Sequence, residues 1–146
     1  MLEDGSVYEG TARGDFKETA CEIVFNTSMT GYVEILTDPS YAGQGVVMTY
    51  PMIGNYGISR EDFESERLQP SAFIVHELSS DPSNFRCTDT IENLLKEYNI
   101  PCISGVDTRT VVKKLRESGT MRGVLTSDIG DRERLMDVIK SFRQID

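Results

Sequence analysis

The stretch GVVMTY, residues Gly45–Tyr50, is apolar on both of its alternating faces until Pro51 ends it. Such a run suits a central strand of a sheet. Two further runs rich in β-branched and aromatic residues lie on either side of it in the sequence, at Glu22–Asn26 (EIVFN) and Ser71–Leu78 (SAFIVHEL). Together with Val7–Gly10, which follows an Asp-Gly turn signal, these runs predict a first half built mainly of strands.

A helical period replaces the strand pattern in the second half of the chain. Apolar residues there recur at the i, i+3, i+4, i+7 spacing of one helix face. This spacing predicts three helices, one carrying Ile91, Leu94, Leu95 and Tyr98, one carrying Val111, Val112 and Leu115, and one over Asp131–Phe142. Asp107 or Thr108 can cap the second helix, and Gly119 closes it. Short strands are predicted between the helices, at Ile100–Gly105 and Gly123–Thr126.

The order of these elements predicts an α+β fold. We expect a layered β/β/α domain with a β-rich first half, followed by alternating helices and short strands. The chain has 146 residues, which is an ordinary size for a single domain. Residues 1–128 are expected to form the domain proper, and residues 129–146 a C-terminal helix leading away from it.

Charge and hydropathy argue against two classes of partner. The formal net charge of −9 is the opposite of the basic surface that neutralises nucleic-acid phosphates. No apolar run approaches the roughly 20 residues of a membrane helix, and no charged-then-apolar leader precedes Leu2. We therefore expect a cytoplasmic protein that binds neither nucleic acid nor membrane.

The cysteines and the single histidine supply little catalytic or metal chemistry. Cys21, Cys87 and Cys102 are odd in number and widely spaced, which fits neither a disulfide framework nor a zinc site. Reduced, mostly buried thiols are the expected state. His76 lies inside an apolar run, where a structural histidine is the usual case, so a Cys–His nucleophile pair is not favoured. No metal site is predicted, and no Gly-rich phosphate loop is present.

Two polar loops and one basic helix face are the remaining candidates for function. The loops Asn26–Tyr41 and Pro51–Gly57 have the composition of binding loops, although ordinary turn chemistry explains the same residues. Arg109, Lys113 and Arg116 fall at i, i+4 and i+7 of the second predicted helix. They form either a solvated face or an interface for an acidic partner. The residues alone leave both questions open.

Six ordered segments resemble one known family. They are LEDGSVYEG (Leu2–Gly10), EIVFNTSMTGYVEILTDPSYAGQ (Glu22–Gln44), TYPMIGNYG (Thr49–Gly57), SNFR (Ser83–Arg86), IPCISGVDTR (Ile100–Arg109) and LRESGTMRGVL (Leu115–Leu125). In this order they are similar to the N-terminal domain of the small subunit, the glutamine amidotransferase chain, of carbamoyl-phosphate synthase. The long central segment carries most of the resemblance.

The resemblance implies a role in a larger enzyme. In the family, a class I glutaminase domain with a Cys-His-Glu triad follows this domain and releases ammonia from L-glutamine. The large subunit uses that ammonia with bicarbonate, ATP and Mg²⁺ to make carbamoyl phosphate for pyrimidine and arginine biosynthesis. The present chain lacks the triad and a cofactor of its own, so we expect it to be non-catalytic in isolation. Residues 129–146 would lead toward the glutaminase domain.

The resemblance also implies one ligand-binding residue. In the family, the serine of the Asp-Pro-Ser-Tyr segment contributes a hydrogen bond to the glutamine site, and that serine is Ser40 here. The expected partners are the large subunit in a heterodimer, the glutaminase domain and L-glutamine, with Arg109, Lys113 and Arg116 as a docking face. The alternative is a free-standing protein-interaction module without amidotransferase chemistry.

Overall fold

The structure is a computed structural model that describes residues 1–27, 32–49, 52–53, 68–78 and 91–142. Eight strands and four α-helices lie within these ranges. The strands are β1 (Thr11–Gly14), β2 (Thr19–Asn26), β3 (Gln44–Met48), β4 (Met52–Ile53), β5 (Ala72–Ile74), β6 (Glu77–Leu78), β7 (Pro101–Ser104) and β8 (Met121–Leu125). The helices are α1 (Tyr32–Thr37), α2 (Ile91–Glu97), α3 (Thr108–Ser118) and α4 (Arg132–Ser141), and a 3₁₀ helix covers Pro39–Tyr41.

Six of the strands form one mixed sheet in the order β1-β7-β5-β3-β2-β8. The four inner strands are parallel to one another, while β1 and β8 are antiparallel to their neighbours at the two edges. Strands β4 and β6 pair separately in a two-stranded parallel sheet. The GVVMTY stretch supplies most of β3, which lies between β5 and β2, so its prediction as a central strand is confirmed.

Helices cover both faces of the large sheet, because alternate residues of its inner strands point in opposite directions. Val46 and Met48 of β3 join the core beneath α1 and α2. Val47, between them, belongs to the opposite core, beneath α3. A smaller cluster of Val124, Leu135 and Ile139 attaches α4 to β8. Strands buried on both faces account for the continuous apolar runs of the sequence.

The predicted α+β fold is confirmed, with strands first and helices alternating with strands afterwards. The predicted strand at Ser71–Leu78 is two strands, β5 and β6, separated by Val75 and His76. Both a large and a small sheet are present. Helices pack against the large sheet, with α1 and α2 on one face and α3 on the other.

The first predicted strand was placed a few residues too early. Val7–Gly10 is not a strand, and β1 begins at Thr11, where the chain pairs with β7. Val7 instead lines a cavity on the α3 side of the sheet. The first strand therefore begins where the chain can pair with the edge of β7, and not where its side-chain composition is most typical of a strand.

The predicted loop Asn26–Tyr41 contains a helix that the sequence analysis missed. Helix α1 is six residues long, and its Ile35 and Leu36 are buried against the sheet. So short a helix shows less than two turns of periodicity, which the hydroxyl residues around it obscured. In the other predicted loop, Met52–Ile53 is strand β4, and the remainder lies outside the described residues.

The second half agrees closely with its prediction. Helix α3 has Asp107 as its N-cap, with the Asp107 carboxylate accepting from the Thr110 N–H at 3.2 Å. It ends at Gly119, whose φ of 80° lies in the region that glycine adopts readily. Helix α4 is likewise capped by Asp131, which accepts from the N–H of Arg134 at 3.0 Å.

Candidate functional site

Ser40 lies in the short 3₁₀ helix that leads into β3. Pro39 occupies the first helical position, where its fixed φ suits the turn. The Asp38 side chain caps the helix by accepting the backbone N–H of Ser40 at 2.9 Å. Backbone bonds from Tyr41 to Asp38 and from Ala42 to Pro39, both 3.1 Å, close the turn. The position of Ser40 is therefore set by a pre-formed local structure.

Tyr41 anchors this turn to the sheet. Its ring is partly buried against the core beneath α1 and α2, and its hydroxyl accepts a hydrogen bond from Asn26 Nδ2 at 2.8 Å. Ser40 itself is exposed, and within the described residues its hydroxyl has no hydrogen-bond partner. A hydroxyl can both donate and accept, so Ser40 can bind a polar group that comes from outside the domain.

The basic side chains of α3 form a second, separate feature. Arg109, Lys113 and Arg116 are all exposed, on the side of the helix away from its buried apolar face. The Arg116 guanidinium carbon lies 5.4 Å from the centre of the Phe25 ring, a cation–π geometry that holds this side chain in place. The neighbouring Lys114 differs from them because it pairs with Asp4 at 2.7 Å.

The two predicted features are not brought together by the fold. Ser40 precedes β3 and so lies at the amino end of the parallel strands. Helix α3 follows β7 and therefore begins at their carboxyl end. Since β3 and β7 run in the same direction, Ser40 and Arg109 lie toward opposite ends of the parallel strands. They can contact two different partners.

His76, expected to be a structural histidine, has a ring nitrogen within hydrogen-bond distance of the backbone. It follows β5 and is exposed, with Nδ1 3.2 Å from the backbone oxygen of Val106. Cys21 and Cys102 are fully buried, and burial raises the pKa of the Cys21 thiol to about 12. Cys87 lies outside the described residues. Both described cysteines are buried, whereas the thiol of a nucleophilic cysteine is accessible.

Within the described residues, no group of three or more histidine, cysteine, aspartate or glutamate side chains could hold a metal ion. No helix in the same ranges has the length and apolar character needed to cross a membrane.

An apolar cavity of about 440 Å³ lies on the α3 side of the sheet, next to the N-terminal segment. Val47, Ile74 and Ile103 lie side by side on three adjacent strands and line it. Tyr8 and Glu9 are among the few polar residues of its wall. The sequence does not reveal this cavity, because an apolar strand shows the same residue pattern whether a helix covers it fully or leaves a space.

Comparison with known proteins supports one family. The family described as "Carbamoyl-phosphate synthase small chain, CPSase domain" matches residues 1–125. A carbamoyl phosphate synthase small chain from Caldanaerobacter subterraneus is 54% identical over 125 residues, 86% of this chain and 35% of the relative. The small chain from Archaeoglobus fulgidus is 52% identical over 135 residues, 92% of this chain and 38% of the relative. The small chain from Clostridium perfringens is 48% identical over 146 residues, all of this chain and 42% of the relative.

The three matches differ little in their extent. They include most or all of the present chain, which spans about two fifths of the length of these relatives. The matched residues contain the Ser40 turn, the whole large sheet and α3. The chain therefore belongs to the carbamoyl-phosphate synthase small-chain family.

Proposed function

We propose that this chain is the N-terminal domain of the small subunit of glutamine-hydrolysing carbamoyl-phosphate synthase. It completes the glutamine site of a glutaminase domain and docks on the large synthetase subunit, and it is non-catalytic alone. The observation that carries the proposal is the exposed Ser40 hydroxyl on its capped turn. Membership of the family is the reason for proposing glutamine as the ligand of that hydroxyl.

The geometry around Ser40 suits binding rather than bond breaking. A single hydroxyl, without a neighbouring base, can donate to the carboxylate of L-glutamine but gains no nucleophilic character. Pro39, the Asp38 cap and the Tyr41 anchor fix the turn before any ligand arrives. Such pre-organisation lowers the entropic cost of binding glutamine.

A kinetic experiment tests the role of Ser40. In the complete small chain assembled with its large subunit, Ser40→Ala should raise KM for glutamine by about two- to tenfold, the value of one hydrogen bond, with kcat little changed. Ser127→Ala is the matched control, since Ser127 is another exposed serine in a short loop. An unchanged KM in Ser40→Ala would contradict the proposed role.

In this proposal, glutamine hydrolysis and the synthesis of carbamoyl phosphate take place in other parts of the complex. A Cys-His-Glu triad in the glutaminase domain releases ammonia, and the large subunit consumes it with bicarbonate, ATP and Mg²⁺. The product serves pyrimidine and arginine biosynthesis in the cytoplasm. The purified 146-residue chain should therefore hydrolyse no glutamine, and measurable hydrolysis would refute its non-catalytic role.

The basic face of α3 is the proposed docking surface. Arg109, Lys113 and Arg116 project from a chain whose net charge is −9, so this face is suited to an acidic surface on the large subunit. Co-purification with the large subunit and glutamine-dependent formation of carbamoyl phosphate distinguish this proposal from a free-standing interaction module. A module of that kind would bind a partner without supporting the reaction.

A further inference from the structure

A row of polar side chains crosses three adjacent strands of the large sheet. Gln44 on β3 is paired in register with Glu22 on β2, and Glu22 is paired with Arg122 on β8. Residues paired in register lie on the same face of a sheet, a few ångströms apart. Gln44 Nε2 donates to Glu22 Oε1 at 3.3 Å, which links the first two members directly.

Arg122 continues this row to the end of α4. Its Nη1 donates to the backbone oxygen of Lys140 at 3.1 Å and reaches that of Phe142 at 3.5 Å. The last carbonyl groups of a helix have no partner within the helix, so this guanidinium supplies one. Arg122 is held in turn by Glu3, whose carboxylate accepts the Arg122 backbone N–H at 2.7 Å and lies 3.6 Å from Nη2.

The other end of the row adjoins the Ser40 turn. Gln44 begins β3 only four residues after Ser40, and the turn packs against that strand. The row formed by Gln44, Glu22 and Arg122 therefore runs from the Ser40 turn to the point where α4 ends. Because neighbouring strands are about 4.8 Å apart, the backbones of Gln44 and Arg122 are only about 10 Å apart across β2.

Helix α4 is also fixed along the rest of its length. Leu135 and Ile139 are 0% exposed and pack with Val124 of β8. At its first turn, Arg134 pairs with Glu18, ahead of β2. The helix is therefore attached to the sheet at both ends, and Arg122 forms the attachment at the end from which the chain continues.

We propose that Arg122 is a positioning residue for the glutamine site. By holding the end of α4 on the polar row, it fixes the direction in which the chain leaves this domain relative to Ser40. The inference rests on the proposed function, in which a glutaminase domain follows α4 and receives the Ser40 hydroxyl. A hydrogen bond between domains needs such a fixed geometry, because small displacements remove it.

The test measures glutamine kinetics of the complete small chain assembled with its large subunit. Arg122→Ala should raise KM for glutamine by about two- to tenfold, up to the effect of Ser40→Ala itself, and change kcat less than about twofold. Arg122→Lys, which keeps one donor for the helix end, should recover part of the loss. Arg132→Ala is the control, since Arg132 is an exposed arginine on the same helix.

The double variant separates positioning from a general loss of structure. If Arg122 acts through Ser40, adding Arg122→Ala to Ser40→Ala should raise KM no further. Additive effects, or an Arg122→Ala variant with normal KM, would overturn the inference while Ser40 kept its proposed role. A normal KM in Ser40→Ala would refute that role and, with it, the inference.

A second variant keeps the inference testable if Arg122→Ala does not fold. Gln44→Leu breaks the bond to Glu22 at the opposite end of the row and leaves Arg122 in place. It should raise KM for glutamine in the same way. Added to Ser40→Ala, it should raise KM no further. A normal KM for both Gln44→Leu and Arg122→Lys would also count against the inference, because each weakens a contact on which the row depends.

Discussion

Arg134 and Glu18 form a bidentate ion pair that joins the first turn of α4 to the segment preceding β2. Arg134 Nη1 donates to Glu18 Oε2 at 3.0 Å, and Nη2 donates to Oε1 at 2.8 Å. The same Oε1 accepts from the Thr126 hydroxyl at 2.9 Å. These bonds, first that from Arg134, lower the pKa of Glu18 to about 2.

This ion pair should make stability depend on pH in the acid range. A folded-state pKa below the ordinary value means that the stabilisation is complete above about pH 4.5 and is lost as pH falls toward 2. Glu18→Gln should therefore lower the urea midpoint of the 146-residue chain at pH 7, with the difference from the parent disappearing near pH 2. Asp137→Asn, on the exposed side of α4, is the control. An equal deficit at both pH values would contradict the prediction.

The absence of a side chain at Gly45 should be essential for packing β3. A Cβ at this position would lie 2.7 Å from Cys21 Sγ and 2.9 Å from Ile23 Cδ1. We expect Gly45→Ala to lower the free energy of unfolding by about 1–3 kcal/mol, the usual cost of overpacking. Adding Cys21→Ala removes the closer contact, so the double variant should be less destabilised than the sum of the singles. Strict additivity in denaturant titrations would refute this cause.

The buried thiols should resist alkylation in the native state. Cys21 and Cys102 are 0% exposed, and burial raises the pKa of Cys21 to about 12, so little thiolate is present at neutral pH. Iodoacetamide followed by peptide mass spectrometry should find both unmodified in buffer and both modified in concentrated urea. Rapid labelling of Cys21 in the folded chain would show that its surroundings are more open than the structure describes.

Charge reversal on α3 should weaken association with the large subunit. Arg109→Glu with Lys113→Glu replaces two exposed cations by anions, which should slow association by about three- to tenfold at low salt. The difference should shrink at high salt because ions screen exposed charges. Arg132→Glu makes a similar reversal on α4 and should have little effect. Equal slowing by Arg132→Glu would point to net charge rather than to a docking face.

The sequence predicted well those elements whose signals are local. The caps of α3 at Asp107 and Gly119 follow from residue chemistry at neighbouring positions, and the structure has both. The central place of β3 follows from its two apolar faces. In each case the deciding interaction lies within a few residues, where periodicity and capping rules apply.

Features that depend on distant residues could not be predicted. Strand β1 exists because β7 offers an edge to Thr11–Gly14, about 90 residues away. The polar row joins Gln44, Glu22 and Arg122 only once the strand order is known. For Ser40, the local turn supports an accessible hydroxyl, while its partner remains a prediction from family resemblance.

The position of β8 has a consequence for how the chain folds during synthesis. Strand β2 has β3 on one side and β8 on the other, and β8 follows it by roughly 100 residues. The free edge of β2 thus stays open on the ribosome until Met121–Leu125 has emerged. A nascent chain stalled before that point leaves one edge of β2 unpaired, and an unpaired strand edge can pair with another chain.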